Sequence, residues 1–288
     1  MRNSLLRLEP GLFDAYFDRK PFYVSTPAMA DHPLFGIERL VALARRLPEP
    51  YVEYNAGALP VNASAGPSPR NGLDAEETLR RIEQCGSWMV LKRVEQDPEY
   101  RAVMDALLDE LEPHARRRGL ACFDRQAFVF VSSPGSVTPF HMDPEHNFLI
   151  QVRGTKTVHL WDPDDRYVVR EEDLETFHAA FKHRNLAYRS EFEHTAHRLH
   201  LTPGQGLHFP VTAPHWVMNG NAVSVSFSIT FRSNASRRRE LAHRANSRLR
   251  RLGLTPRPVG AQPWVDGAKA LATGALLGVR DAVKRHRS

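Results

Sequence analysis

The chain has 288 residues, 42% hydrophobic and 25% charged, the balance of a globular protein and not of a disordered or fibrous one. Two distant cysteines, Cys85 and Cys122, exclude a disulfide framework and a CxxC zinc site and point to a reducing, cytoplasmic setting; no secretory pattern opens the chain and no stretch approaches the ~18 apolar residues of a membrane span. The net charge of +6 is uneven: residues 236–288 hold 13 Lys and Arg against three acids, a net of +10, which leaves −4 on the first 235, so charge alone does not make the chain a nucleic-acid binder.

In chain order, Ile37–Leu47 repeats apolar residues at helical spacing and ends at Pro48. Residues 59–73 are rich in Pro, Gly, Ser and Asn and read as a loop. Asp74 with Glu77 forms a capping-box pattern that opens a helix over Ala75–Gln84. Trp88–Leu91 reads as a strand, and Asp97-Pro98 opens a helix over Glu99–Glu112. From residue 127 the period shortens. Ala127–Ser132, Ser136–His141, Asn147–Val152, Lys156–Trp161, Arg198–Leu201, Gly206–Phe209 and Ala222–Phe231 are short strand-like segments punctuated by Gly and Pro. They predict a mainly β protein built on a barrel or sandwich. Residues 164–197 read as a polar insertion with a short helix at Glu172–Phe181. Helical period returns in Arg237–Leu252, which is basic, and in Trp264–Lys284, whose apolar face is small-residue and Ala-rich. The implied organisation is an N-terminal mixed segment (1–119), a β core (120–233) and a basic helical appendage (234–288).

Chemistry concentrates in residues 135–163. His141 and Asp143 are two apart, so on a strand both face the same way and can offer adjacent coordination positions. His215, read as lying on a loop before the last strand, is the candidate third ligand. Two imidazoles and a carboxylate form the facial set of non-haem Fe(II) oxygenases. The spacing Gly135-x5-His141-x-Asp143-x3-Asn147-x6-Gly154 follows the first cupin motif, with Asn147 where many cupins carry Glu, and Pro210-x4-His215-x3-Asn219 follows part of the second. Lys156 shares a strand face with Val158 and Leu160. A cation on an apolar face requires an anion, either a structural carboxylate or the distal carboxylate of a dicarboxylic cosubstrate, to which the Thr138 hydroxyl could also reach. Alternation leaves open whether 226/228 or 225/227/229 of the last strand points inward. The remaining histidines read as surface or structural, and Trp88, Trp161 and Trp216 as core.

Thr138-Pro139, His141, Asp143, Asn147, Gly154 and Lys156 together resemble the cupin-like JmjC family of Fe(II)- and 2-oxoglutarate-dependent oxygenases. That resemblance implies a double-stranded β-helix (jelly-roll) core. It implies His141, Asp143 and His215 as iron ligands, Lys156 and Thr138 on the C5 carboxylate of 2-oxoglutarate, and Asn147 near its iron-bound end, with O2 as the second cosubstrate. An earlier Tyr contacts 2-oxoglutarate in the family, for which Tyr54 is the candidate; Arg232 is the alternative to Lys156. The implied activity is hydroxylation of a peptide, protein or small molecule, with a homodimer formed through the C-terminal helices. A cupin metal enzyme without 2-oxoglutarate and a non-catalytic binding module are the alternatives.

Overall fold

The computed structural model describes residues 4–57, 59–63, 70–180 and 185–285. Residues 64–69 of the predicted loop 59–73 therefore lie outside the described residues. Among the described residues, eleven strands and seven α-helices follow one another: α1 (Leu12–Tyr16), β1 (Phe22–Ser25), α2 (Ile37–Arg46), β2 (Val52–Ala56), α3 (Ala75–Arg80), β3 (Ser87–Lys92), α4 (Pro98–Arg117), β4 (Cys122–Ser132), β5 (Val137–His141), β6 (His146–Arg153), β7 (Lys156–Leu160), α5 (Glu171–Ala180), β8 (His197–Leu201), β9 (Gln205–Phe209), β10 (His215–Asn219), β11 (Ser224–Ser233), α6 (Asn234–Arg251) and α7 (Pro263–Arg285).

The strands form two antiparallel sheets. The larger runs β1-β9-β6-β11-β4-β3-β2 and the smaller β5-β10-β7-β8. Alternation along each strand assigns its faces. On β6 and β11, Phe148, Ile150, Val225, Phe227 and Ile229 face outward into a core shared with the N-terminal helices. Leu149 of β6 instead joins Val158, Leu160, Leu201, Leu207, Phe209 and Val217 between the sheets. The large sheet is thus covered on both faces, which explains why β11 is buried along almost its whole length.

The N-terminal region does more than pack against the barrel. β1 pairs with β9, and β2 and β3 extend the large sheet beyond β4, so this region supplies three of its seven strands. Two of them, FYVS and VEYNA, are too short to announce themselves by period. Asp74 caps α3 as expected, accepting from the Glu77 N–H at 2.8 Å, while the Glu77 carboxylate turns to Arg81 instead of closing the box. α4 starts at Pro98 under the Asp97 cap and runs past Glu112 through Pro113, because Leu111 and Ala115 on either side are both buried. The 164–197 insertion covers the outer face of the small sheet, where Val168, Val169, Leu174, Phe177 and Phe192 pack on Phe140, Trp161 and Trp216.

The basic C-terminal segment is seated on the body by ion pairs. Glu240 of α6, 2% exposed, receives Arg232 at 2.8 Å, Arg237 at 2.6 Å and Arg244 at 3.2 Å. Arg250 reaches Glu175 of α5 at 2.6 Å, and Arg239 reaches Asp18 at 2.6 Å. Removing this buried carboxylate takes away three charge-assisted hydrogen bonds, although Arg232 keeps Glu145 and Arg237 reaches solvent. Glu240→Gln should therefore cost about 1–3 kcal/mol of stability, measured as a lower midpoint of urea unfolding.

Candidate metal centre

The centre is built at one end of the small sheet. His141 is the last residue of β5, and His215 is the first residue of β10, not part of a loop; the two are direct cross-strand partners with ring centroids 4.1 Å apart. Asp143 lies just beyond β5. Met142 between them is fully buried in the outer cluster, so His141 and Asp143 keep a common inward direction past the strand end. Asp143 Oδ2 is 3.8 Å from His141 Nε2 and 3.9 Å from His215 Nε2, and one ligand atom from each residue lies within 4.8 Å of the others. Among the described residues this is the one group of three or more His, Cys, Asp or Glu with such geometry.

Both imidazoles are oriented by the backbone. His141 Nδ1 is 2.7 Å from Pro139 O, and His215 Nδ1 is 3.0 Å from Ala213 O. A carbonyl can only accept, so each Nδ1 carries a proton, and each Nε2 is the ring atom turned toward Asp143. Two imidazole nitrogens and one carboxylate oxygen form a donor set that suits a first-row divalent metal such as Fe(II).

A bulge sets the rest of the wall. His215 pairs with His141 and Val217 with Thr138, so two steps on β10 face three on β5. Strict alternation would put Thr138 and His141, three residues apart, on opposite faces; the extra residue next to Pro139 lets both line the same cavity. Phe140, in the bulge, turns outward and is fully buried in the outer cluster. The Gly154 of the motif has φ +68°, and a Cβ there would sit 2.3 Å from Val223 O. Only glycine permits the tight β6–β7 connection that brings Lys156 onto the small sheet.

Lys156 is 5% exposed and points inward with Val158 and Leu160. Among the described residues no carboxylate lies within ion-pair distance of it. Burial pulls its pKa from 10.5 down to about 7. It pairs across the ladder with Asn219, while His215 begins the same strand four residues earlier. Those four steps set Lys156 ~13 Å from His215 along the strands. Thr138, Asn147, Leu149, Phe209 and Val217 line the space between. Asn147 is held by Ser228, whose hydroxyl donates to its Oδ1 at 2.8 Å, and Ser226 donates to Gln151 at 2.6 Å. The even residues 226 and 228 therefore face the barrel interior, and 225, 227 and 229 face the helices.

Two expectations are corrected. Tyr54 pairs with Met89 and packs with it on the helix-covered side of the large sheet, away from the cavity. Arg232 is committed to Glu145 at 3.1 Å and Glu240 at 2.8 Å and does not reach the cavity. Trp161 and Trp216 are core, as read, but Trp88 stands with Phe130 and Ser132 in the cavity wall. Its strand was legible; its inward face was not, because a lone aromatic on a short strand carries no direction.

Residues 72–237, more than half of the chain, match the cupin-like domain family. The chain belongs to that family. Within this cupin-like protein, a 102-residue segment is 29% identical to lysine-specific demethylase 8 of Danio rerio, covering 34% of this chain and 24% of that protein. A 107-residue segment is 30% identical to lysine-specific demethylase 8 of Xenopus tropicalis, covering 34% and 22%. The match thus spans under a quarter of either relative. Among solved structures, the fold is similar to that of YcfD, a ribosomal oxygenase from Escherichia coli, in complex with cobalt and 2-oxoglutarate. That similarity has a TM-score of 0.50 and 17% identity, and covers 94% of this chain and 67% of that one. A second structure of E. coli ycfD gives a TM-score of 0.51 at 18% identity, covering 94% and 68%. The double-sheet cupin core with helices at both ends is accordingly the fold of this chain.

The depressed pKa of Lys156 has a sign that can be measured. Between pH 7 and 10.5 the unfolded chain binds the lysine proton and the folded chain does not, so this residue makes stability rise with pH. Lys156→Met should stabilise the ligand-free protein by on the order of 4 kcal/mol at pH 6. The advantage should shrink as pH climbs from 7 toward 10, followed by urea unfolding across that range.

Proposed function

We propose that this cupin-like protein is an Fe(II)- and 2-oxoglutarate-dependent oxygenase that hydroxylates its substrate. The observation that carries the reading is the juxtaposition of the His141–Asp143–His215 donor set with a buried lysine that has no carboxylate partner among the described residues. A cupin metal enzyme that does not use a dicarboxylic cosubstrate has no need of such a lysine.

His141, Asp143 and His215 would hold the metal on one face, leaving positions open on the cavity side. When bound, Fe(II) with 2-oxoglutarate and O2 supplies the oxidising power to hydroxylate an unactivated C–H bond, 2-oxoglutarate leaving as succinate and CO2. The protein's part is to bind and orient. Lys156 would pair with the distal carboxylate and regain an ordinary charged state in doing so. Thr138 would donate its hydroxyl to the same group. Asn147, its Oδ1 already occupied by Ser228, would present its amide N–H toward the metal-bound end. Leu149, Phe209 and Val217 keep this space apolar and limit water. Trp88 and Phe130 line the same cavity and would contact the substrate.

A protein or peptide side chain is the favoured substrate class. The names of the similar proteins, a ribosomal oxygenase and lysine-specific demethylases, support it. A small molecule is the alternative. The cytoplasmic setting is supported by the free thiols of Cys85 and Cys122, and no described helix is long and apolar enough to cross a membrane. We also infer a homodimer through the C-terminal helices. Trp264, 77% exposed, and Leu271, 78% exposed, lie on α7 beside Phe123 and would be covered by a second copy.

Asp143→Ala should abolish 2-oxoglutarate turnover, measured as succinate release; wild-type release by this variant would overturn the metal assignment. Lys156→Ala should raise the Kd for 2-oxoglutarate by at least about 100-fold in Mn(II)-loaded calorimetry, the range expected when one partner of a buried ion pair is lost. In the wild type, only the protonated lysine pairs with the cosubstrate, so apparent affinity should hold below pH 7 and fall by up to about tenfold per unit above it. For the assembly, a Trp264→Glu, Leu271→Glu double variant should halve the mass seen by light scattering; an unchanged mass would place the contact elsewhere.

A further inference from the structure

Outside the cavity one carboxylate ties together the elements that carry the metal centre. Asp18 lies in the turn after α1 with φ +63°. Its side chain is 15% exposed. Its Oδ2 accepts from Arg239 of α6 at 2.6 Å, and its Oδ1 accepts from the Val211 N–H at 3.4 Å. Its own N–H donates to Nε2 of His208 at 3.2 Å, and His208 in turn reaches Asn147 O through Nδ1 at 3.2 Å. His208 is fully buried and desolvation pushes its pKa down to about 3, so it stays neutral and can accept through Nε2.

The segment that Asp18 holds is the one from which two of the three candidate ligands hang. Thr212 N–H donates to Asp143 O at 2.8 Å, and Ala213 O accepts from His215 Nδ1 at 3.0 Å. Thr212 has φ +61°, a left-handed conformation that a β-branched residue rarely adopts. Its hydroxyl closes onto Val211 O at 2.6 Å. Backbone strain of this kind persists only where its surroundings enforce it. One contact on this segment, the Val211 N–H to Asp18 Oδ1, comes from a residue nearly 200 positions away in sequence.

We propose that Asp18 is a positioning residue of the metal centre: by gripping the Val211 N–H while anchored to Arg239, it holds the strained Val211–Ala213 segment that aims Asp143 and His215. The proposal rests on the reading of His141, Asp143 and His215 as metal ligands. It makes no use of Asp18 in the reaction itself.

The test is Co(II) binding by the full-length protein, followed by visible absorption, with thermal unfolding measured in parallel. Asp18→Gly keeps a backbone that tolerates positive φ and deletes the carboxylate. It should weaken Co(II) binding by ten- to a hundredfold and change the absorption bands. Asp18→Asn keeps an acceptor for Val211 and should weaken binding less than Asp18→Gly but by at least about threefold, a partial rescue. Leu107→Ala, a core truncation in α4, should lower the unfolding temperature and leave Co(II) affinity at the wild-type value. Wild-type affinity in both Asp18 variants would overturn the proposal, as would a loss of affinity in Leu107→Ala equal to that in Asp18→Gly. Should Asp18→Gly fail to fold, Asp18→Asn decides alone by the same criterion. Absence of Co(II) binding in the wild type would instead overturn the ligand reading, and this proposal with it.

Discussion

The irregular register between β5 and β10 is the constraint on which the centre depends. An antiparallel pair places partner residues on a common face, and the His141–His215 pairing uses that to set two imidazoles side by side. Without the bulge at Pro139–Phe140, either Thr138 or His141 would have to turn away from the cavity. Pro139 suits the position because it has no N–H to lose from the ladder, and its carbonyl fixes the proton on His141. A regular β5 could supply the metal donors or the hydroxyl near Lys156, but not both.

The barrel interior holds two kinds of polar group. Gln151, Ser224, Ser226, Asn147 and Ser228 bond to one another across β6 and β11, so their desolvation is compensated within the protein. Among the described residues Lys156 has no carboxylate partner, and its charged form bears the cost of burial. These hydrogen bonds hold the wall. A cation in the same wall is stabilised by an anionic ligand and penalised without one. Stability in the ligand-free state and affinity in the bound state are therefore opposed at this residue.

Part of the charge on the C-terminal segment is paired within the protein. Arg239 and Arg250 of this segment meet the mildly acidic body at Asp18 and Glu175, and Glu240, one of the segment's own three acids, pairs with Arg232 of β11. Arg239 belongs to this set, so the appendage that looked independent of the site reaches it through Asp18.

Much of the site was legible in one stretch of sequence, because a strand of period two converts the spacing His-x-Asp into a shared face and a glycine followed by Lys156 into a turn and an inward cation. The β core was legible from the short alternating segments between 127 and 231, and the helix starts from Asp74 and Asp97. Other assignments depended on contacts distant in sequence. Whether 226/228 or 225/227/229 faced inward was decided when the N-terminal helices covered one face of the large sheet. Tyr54 and Trp88 sit on adjacent strands with similar local patterns, yet register with β4 sends one to the core and the other to the cavity. His215 looked like a loop residue because HWVMN is five residues long, and only pairing on both sides makes it a strand. Local spacing determined the chemistry on offer, since it follows from backbone period. Which groups meet was settled by long-range hydrogen-bond register and by the faces that burial selects, and neither is written in any single segment.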